Sequence, residues 1–244
     1  MSLSFNCLLI LPFCVHANAD FIGTHQNRLS VVTENWYPFN YKSEDNEIIG
    51  ISTGHVNKVL EHAKIPFEIT MNTWQRSYNL ARSQKDVLLY TIVRTTAREK
   101  LFHWFCPISH PPGHSVYKLR NRNDIVVSNE NELKNYTLSV HRSTFSHEHF
   151  LSKGFVKGQN LAVSSSNEAN VRMLLKGRVD LIVISDLAIE SILMLNDANL
   201  EMVEIVYTIP QNELPPSCMA LNKDSSLELV EKIRTSHEFI LSQE

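Results

Sequence analysis

Three prolines and a glycine within residues 107–113, and three more prolines at 210, 215 and 216, constrain this chain more than any other feature. Proline removes a backbone donor and fixes φ, so neither cluster can lie inside a helix or a central strand. On either side of the first cluster the same rhythm runs. Residues 29–33 read as a strand, and 53–63 place Val56, Val59, Leu60 and Ala63 at helical spacing. Residues 67–70 alternate like a strand, 74–83 return to helical spacing, and 87–93 form an apolar strand. After the break come strands at 115–119, 137–140, 160–163 and 181–184, with helices at 131–135, 144–152, 168–175 and 187–195. Past the second break, 218–221 reads as a strand and 227–241 as an amphipathic helix. Alternating strands and helices give α/β layers with mostly parallel sheets. The pattern predicts two α/β lobes separated by two proline-rich crossings.

A chain of 244 residues with 43% hydrophobic content can bury one large core or two modest ones. A formal net charge of −3 offers no basic surface for nucleic acid. With seven glycines and no phosphate-loop or GxGxxG pattern, nothing in the sequence provides for nucleotide chemistry. Residues 8–15 form an apolar run of signal-peptide length, and Ala17-Asn18-Ala19 supplies an A-x-A cleavage pattern. Residues 1–19 are therefore expected to be a signal peptide, although no Lys or Arg precedes Arg28. The run is short for a membrane span, and nothing later is long and apolar enough to be one. The expected product is soluble and periplasmic. Export leaves Cys106 and Cys218. They can pair, closing a long loop worth about 4 kcal/mol, or remain as two buried thiols.

The segment TIVRTTAREKLFHWFCP carries the main functional signal. The buried strand ends in Arg94 and Arg98 among Thr91, Thr95 and Thr96. A guanidinium fork with hydroxyls beside it suits a carboxylate, whereas pairing with Glu99 is the plain structural alternative. Eleven histidines raise the question of metal. The closest pairs, His147 with His149 and His110 with His114, lack the convergent third and fourth ligands that zinc needs. No cofactor or metal is expected. Nor is there a nucleophile elbow, an HExxH or a triad spacing, so the chain is expected not to be an enzyme.

Five stretches in order resemble one family. VTENWYPFNY is similar to its opening strand and aromatic-proline loop, and WQRSYNLARSQKD to its Trp-x-Arg helix. RTTAREKLFHW resembles its T-x-x-R segment, ELKNYTLSVHRST the start of its second lobe, and LLKGRVDLIV its G-R-x-D turn. The family is the bacterial periplasmic solute-binding proteins of family 3, which includes receptors for polar amino acids.

The resemblance implies a periplasmic-binding-protein type II-like fold with two lobes joined by a two-strand hinge. Lobe 1 would comprise residues 20–109 plus 221–244, and lobe 2 residues 110–220. It implies a small polar or anionic, amino-acid-like ligand captured between the lobes. An ABC-type membrane permease would be the partner and a monomer the working state. Two alternatives are a periplasmic sensor for a separate signalling partner and a dehydratase on the same fold. By this resemblance Arg98 holds the ligand's carboxylate and Thr91 offers a hydroxyl, while Trp36 and Tyr37 form an aromatic wall. Arg94 is a second anion contact or a surface salt bridge, and Trp74 is mainly structural. In lobe 2, Ser143 and Thr144 occupy a Gly-Thr position at a helix start, where Thr144 is an anion contact or an N-cap. Asp186 is the expected partner for an amino group. Ser185 stands where the family places that acid, so which of the two faces the cleft is left open.

Overall fold

The computed structural model describes residues 28–110 and 112–243. The expected signal peptide lies outside these residues. The chain opens with strand β1 (Leu29–Thr33), a short hairpin of β2 (Tyr41–Lys42) and β3 (Ile48–Ile49), and helix α1 (Ile51–His62). Strand β4 (Phe67–Met71), helix α2 (Trp74–Ser83), strand β5 (Val87–Val93) and strand β6 (Phe102–Ser109) follow. Beyond the first proline crossing come β7 (His114–Leu119), β8 (Leu138–His141), α3 (Phe145–Ser152) and β9 (Leu161–Ser164). Helix α4 (Asn167–Leu175), β10 (Leu181–Ser185), α5 (Ile189–Met194) and β11 (Val203–Thr208) complete that half. The chain then returns through β12 (Ser217–Asn222) to α6 (Leu227–Leu241).

These strands form two five-stranded sheets, ordered β4-β1-β5-β12-β6 and β11-β7-β10-β8-β9. In the first, β1 runs parallel to β4 and β5, and β12 is antiparallel to both β5 and β6. In the second, β8 runs parallel to β9 and β10, while β7 is antiparallel to β10 and β11. Each sheet is covered on both faces, which is why β5 (VLLYTIV) and β10 (LIVIS) are buried at every position. One core around the first sheet joins Val56, Val59 and Leu60 of α1 to Leu88, Tyr90, Val230 and Ile233. Its opposite face packs Trp74, Tyr78 and Ala81 of α2 on Leu89 and Ile92. The second sheet has the same two-sided arrangement. Two α/β lobes joined by two crossings are thus the architecture. The return crossing enters the first sheet at Ser217, four residues ahead of the expected 221, because Ser217 already registers with Val93 and Ser109.

Several local details depart from the pattern. Residues 131–135 belong to a 3-10 turn, Glu130–Asn135, started by Asn129, whose side chain accepts from the amides of Asn131 and Glu132. The hairpin of β2 and β3 and the edge strand β11 are too short or too polar to stand out by alternation. Cys106 and Cys218 form a disulfide of 2.02 Å between neighbouring strands β6 and β12. Among the described residues no helix is long and apolar enough to cross a membrane.

Candidate functional site

The site begins with a local irregularity in β5. Along β12, Cys218 pairs with Ile92 and Met219 with Tyr90, so Thr91 is skipped as a bulge. Its φ is +60°, a left-handed conformation that a β-branched residue seldom adopts. The bulge re-aims the side chain. Thr91 is 2% exposed, its Oγ1 has no protein partner, and it lines a cavity of about 80 Å³ between the two sheets. Backbone strain and an unsatisfied buried hydroxyl both cost stability, which makes Thr91 a candidate ligand contact.

Both lobes build this cavity. From the first come Glu34 at the end of β1, Trp36, Trp74 and Arg98. From the second come His114, His141, Thr144 and Ser185. Ser185 ends β10, is buried, and like Thr91 carries a hydroxyl without a protein partner. The two carboxyl-end positions therefore present a matched pair of unsatisfied hydroxyls from opposite lobes. Ligands of open α/β sheets bind at such strand ends.

Electrostatics of the cavity depend on two carboxylates. Burial pushes the Glu34 carboxyl up to about 8, with Glu168 adding to the shift and Arg98 opposing it. Arg98 is 1% exposed, and each of its three nitrogens donates to the protein. Its Nε donates to Oε1 of Glu148 at 2.8 Å, Nη1 to the Val93 carbonyl at 2.8 Å and Nη2 to the Ser143 carbonyl at 2.8 Å. Thr95 Oγ1 donates to the other oxygen of Glu148 at 2.5 Å. The guanidinium also lies 5.5 Å from the Trp74 ring and 5.4 Å from that of Tyr78. Burial lowers the pKa of His114 and His141, so both rings are neutral at pH 7.

The residues singled out from sequence divide into two groups. Thr91, Trp36, Arg98 and Thr144 meet around the cavity. Ser143 supports it through its backbone. Held at φ +58°, it offers one carbonyl to both Arg98 and Trp74 Nε1, the latter at 2.7 Å. Trp74 thus lines the cavity and ties the lobes as well as filling the core. Thr144 is not a side-chain cap, since its hydroxyl turns back to the His141 carbonyl at 2.7 Å.

Three residues lie elsewhere. Arg94 is on the surface, held by Glu99 at 2.7 Å, which corrects the reading of a second anion contact. Tyr37 is 58% exposed against Tyr41 and borders only an adjoining outer cavity of about 360 Å³. Asp186 is exposed and accepts from Tyr117 Oη at 2.8 Å. Its place at the cavity belongs to Ser185, because β10 keeps its alternation to that residue and turns at the next. Glu34 and Glu148 escaped sequence reasoning. Glu34 sits inside the aromatic-proline stretch beside Trp36 and was legible there. Glu148 meets Arg98 from 50 residues away, a pairing that no local spacing encodes.

Outside the cavity, Glu130, His149 and Glu213 converge. Lys153 Nζ already lies 2.9 Å from Glu130 and 2.7 Å from Glu213, so the positive charge there is supplied by the protein.

Comparison with known proteins fits this architecture. The family described as bacterial extracellular solute-binding proteins, family 3, matches residues 29–233. Among solved structures, a histidine kinase sensor domain with similarity to periplasmic binding proteins superposes with a TM-score of 0.73 at 16% identity, covering 89% of this chain and 92% of that one. An ancestral arginine-binding protein bound to arginine gives 0.70 at 19%, covering 89% and 93%. The arginine-, lysine-, histidine-binding protein ArtJ of Geobacillus stearothermophilus gives 0.68 at 19%, covering 89% and 90%. No curated protein matches in sequence. With two sheets, paired crossings and a cavity between them, the chain belongs to the bacterial extracellular solute-binding proteins, family 3.

Proposed function

We propose that the protein is an exported, periplasmic, monomeric receptor that encloses one small polar metabolite of amino-acid size between its lobes and hands it to an ABC-type membrane transporter. It binds without catalysis. The observation that carries this reading is the pair of buried, unsatisfied hydroxyls of Thr91 and Ser185 facing one cavity from different lobes. A ligand that satisfies both must touch both lobes, and contacts made only in the closed form are what favour closure. Trp36 and Thr144 complete the enclosure. Because Arg98 is engaged by Glu148, support is stronger for a polar ligand than for an anionic one.

A thermal-shift screen of amino acids, amines, organic acids and sugars tests the proposal, since a ligand that binds only the native state raises its melting temperature. A saturable shift that is lost in Ser185→Trp supports it. No shift from any class counts against it.

A second reading has its own support, the likeness to a histidine kinase sensor domain. On that reading the closed receptor docks on a separate signalling partner. Uptake of radiolabelled ligand by cells with and without the protein separates the two, because only transport requires it for uptake.

A further inference from the structure

We infer that the cleft takes a small organic ammonium compound that presents no carboxylate to Arg98, because the carboxylate of Glu148 fills that place from within the protein. This rests on the receptor reading above and specifies its ligand class.

The first observation concerns the guanidinium. All three Arg98 nitrogens donate to protein oxygens, and the one carboxylate among those acceptors is clamped from its other side by Thr95. Arg98 and Thr95 precede or flank the 3-10 turn Glu99–Leu101 of the first lobe, whereas Glu148 rides on α3 of the second. A ligand carboxylate can take the Nε edge of the guanidinium only by displacing Glu148, which would leave that side chain partly buried and without its partners. Removing one member of such a pair is costly because the remaining charge stays desolvated.

A charge census of the cleft supplies the second observation. With Arg98 paired to Glu148, the carboxylates among the described residues that line the inner and outer cavities are Glu34 and Glu168. Among the described residues no lysine lines either cavity, and Arg98 is the one arginine that does. With Glu34 holding its proton at pH 7, the negative charge that a ligand meets is that of Glu168, which also helps to hold that proton. An ammonium group beside Glu34 favours the ionised carboxylate, offsetting the burial that otherwise disfavours its charge.

Donor and acceptor chemistry agrees. An ammonium brings three N–H donors and no acceptor. Glu34 and the two unsatisfied hydroxyls of Thr91 and Ser185 offer acceptors, and Trp36 lines the same space with an aromatic ring that attracts cations. Asp186 is exposed, lines neither cavity and accepts from Tyr117 instead. The inner cavity of about 80 Å³ and the outer one of about 360 Å³ share Glu34, Trp36, Trp74 and His141, so the two adjoin along this acidic, aromatic wall.

Matched pairs that differ by one carboxylate test the inference. Dissociation constants are measured by titration calorimetry for arginine against agmatine and lysine against cadaverine, with succinate and glucose as anionic and neutral probes. The expected result is that at least one amine binds roughly tenfold or more tighter than its parent amino acid. In Glu148→Ala, or in Glu148→Gln if the former does not fold, the preference moves roughly tenfold toward the parent amino acid. Equal or tighter binding of the parent amino acids by the wild type overturns the inference, as does an unchanged ratio in a folded Glu148 variant. Binding of succinate or glucose with the amines silent overturns it while leaving the receptor reading in place. Silence from all six probes overturns it too, and the broader thermal-shift screen then decides the receptor reading separately.

Discussion

Oε1 of Glu148, on the second lobe, lies 2.8 Å from Nε of Arg98 on the first, and the same guanidinium reaches the Ser143 carbonyl at 2.8 Å. These bonds, with that from Trp74 Nε1 to Ser143, link the two lobes across the cleft. Arg98 is therefore a strut between lobes as much as a wall of the cavity.

Replacing it is expected to cost stability, not only affinity. Arg98→Ala strands Glu148, removes a donor from the Val93 carbonyl and leaves Ser143 with Trp74 alone, a loss of about 3–5 kcal/mol. Urea unfolding followed by circular dichroism measures it. A loss below about 1 kcal/mol would place the pair among weak surface bridges.

The disulfide ties β6 to β12 beside the crossings and closes a loop with a sequence separation of 112. A loop of that length is worth about 4.7 kcal/mol in chain entropy. Cys106→Ala with Cys218→Ala is expected to lower the unfolding free energy by about that amount relative to the oxidised wild type. The same midpoint in urea for both proteins would refute the expectation.

Ser185→Ala separates stability from binding. The hydroxyl is buried without a protein partner, so deleting it removes a desolvation cost of about 1 kcal/mol from the free protein. The melting temperature of the free variant should rise while its ligand affinity falls. A fall in both would mean that the hydroxyl serves the fold.

Glu34 gives a pH signature. Its carboxyl holds a proton in the folded state up to about 8, whereas the unfolded chain releases it near the ordinary value of 4.5. Between those values the native state binds more protons, so stability falls as pH rises and levels off above the upper value. In Glu34→Gln that slope disappears. Urea midpoints at about pH 5 and about pH 8.5 check this, the wild type losing more across the interval than the variant. Parallel losses would show that Glu34 titrates normally.

Much of the fold was legible because it is written in local patterns. The apolar positions of α1, the all-buried runs of β5 and β10 and the proline clusters each report on their own segment. Thr91 and Arg98 were legible as chemistry at a strand end. What was hidden is non-local. Whether Ser185 or Asp186 faces the cleft depends on where β10 turns relative to β7, and Tyr117 captures the acid. Arg94 and Arg98 look alike in sequence. One leans out to Glu99, and the other is drawn between Trp74, Tyr78 and a carboxylate from the other lobe. Glu148 gave no signal, since its partner is on another element and its own helix shows an ordinary solvated glutamate.

Titration calorimetry of the wild type and Ser185→Trp, using the compound that most raises the wild-type melting temperature, tests the enclosed cleft most directly. A one-to-one isotherm for the wild type and none for the folded variant is the predicted result. Unchanged affinity in the variant would put the ligand elsewhere and contradict the account.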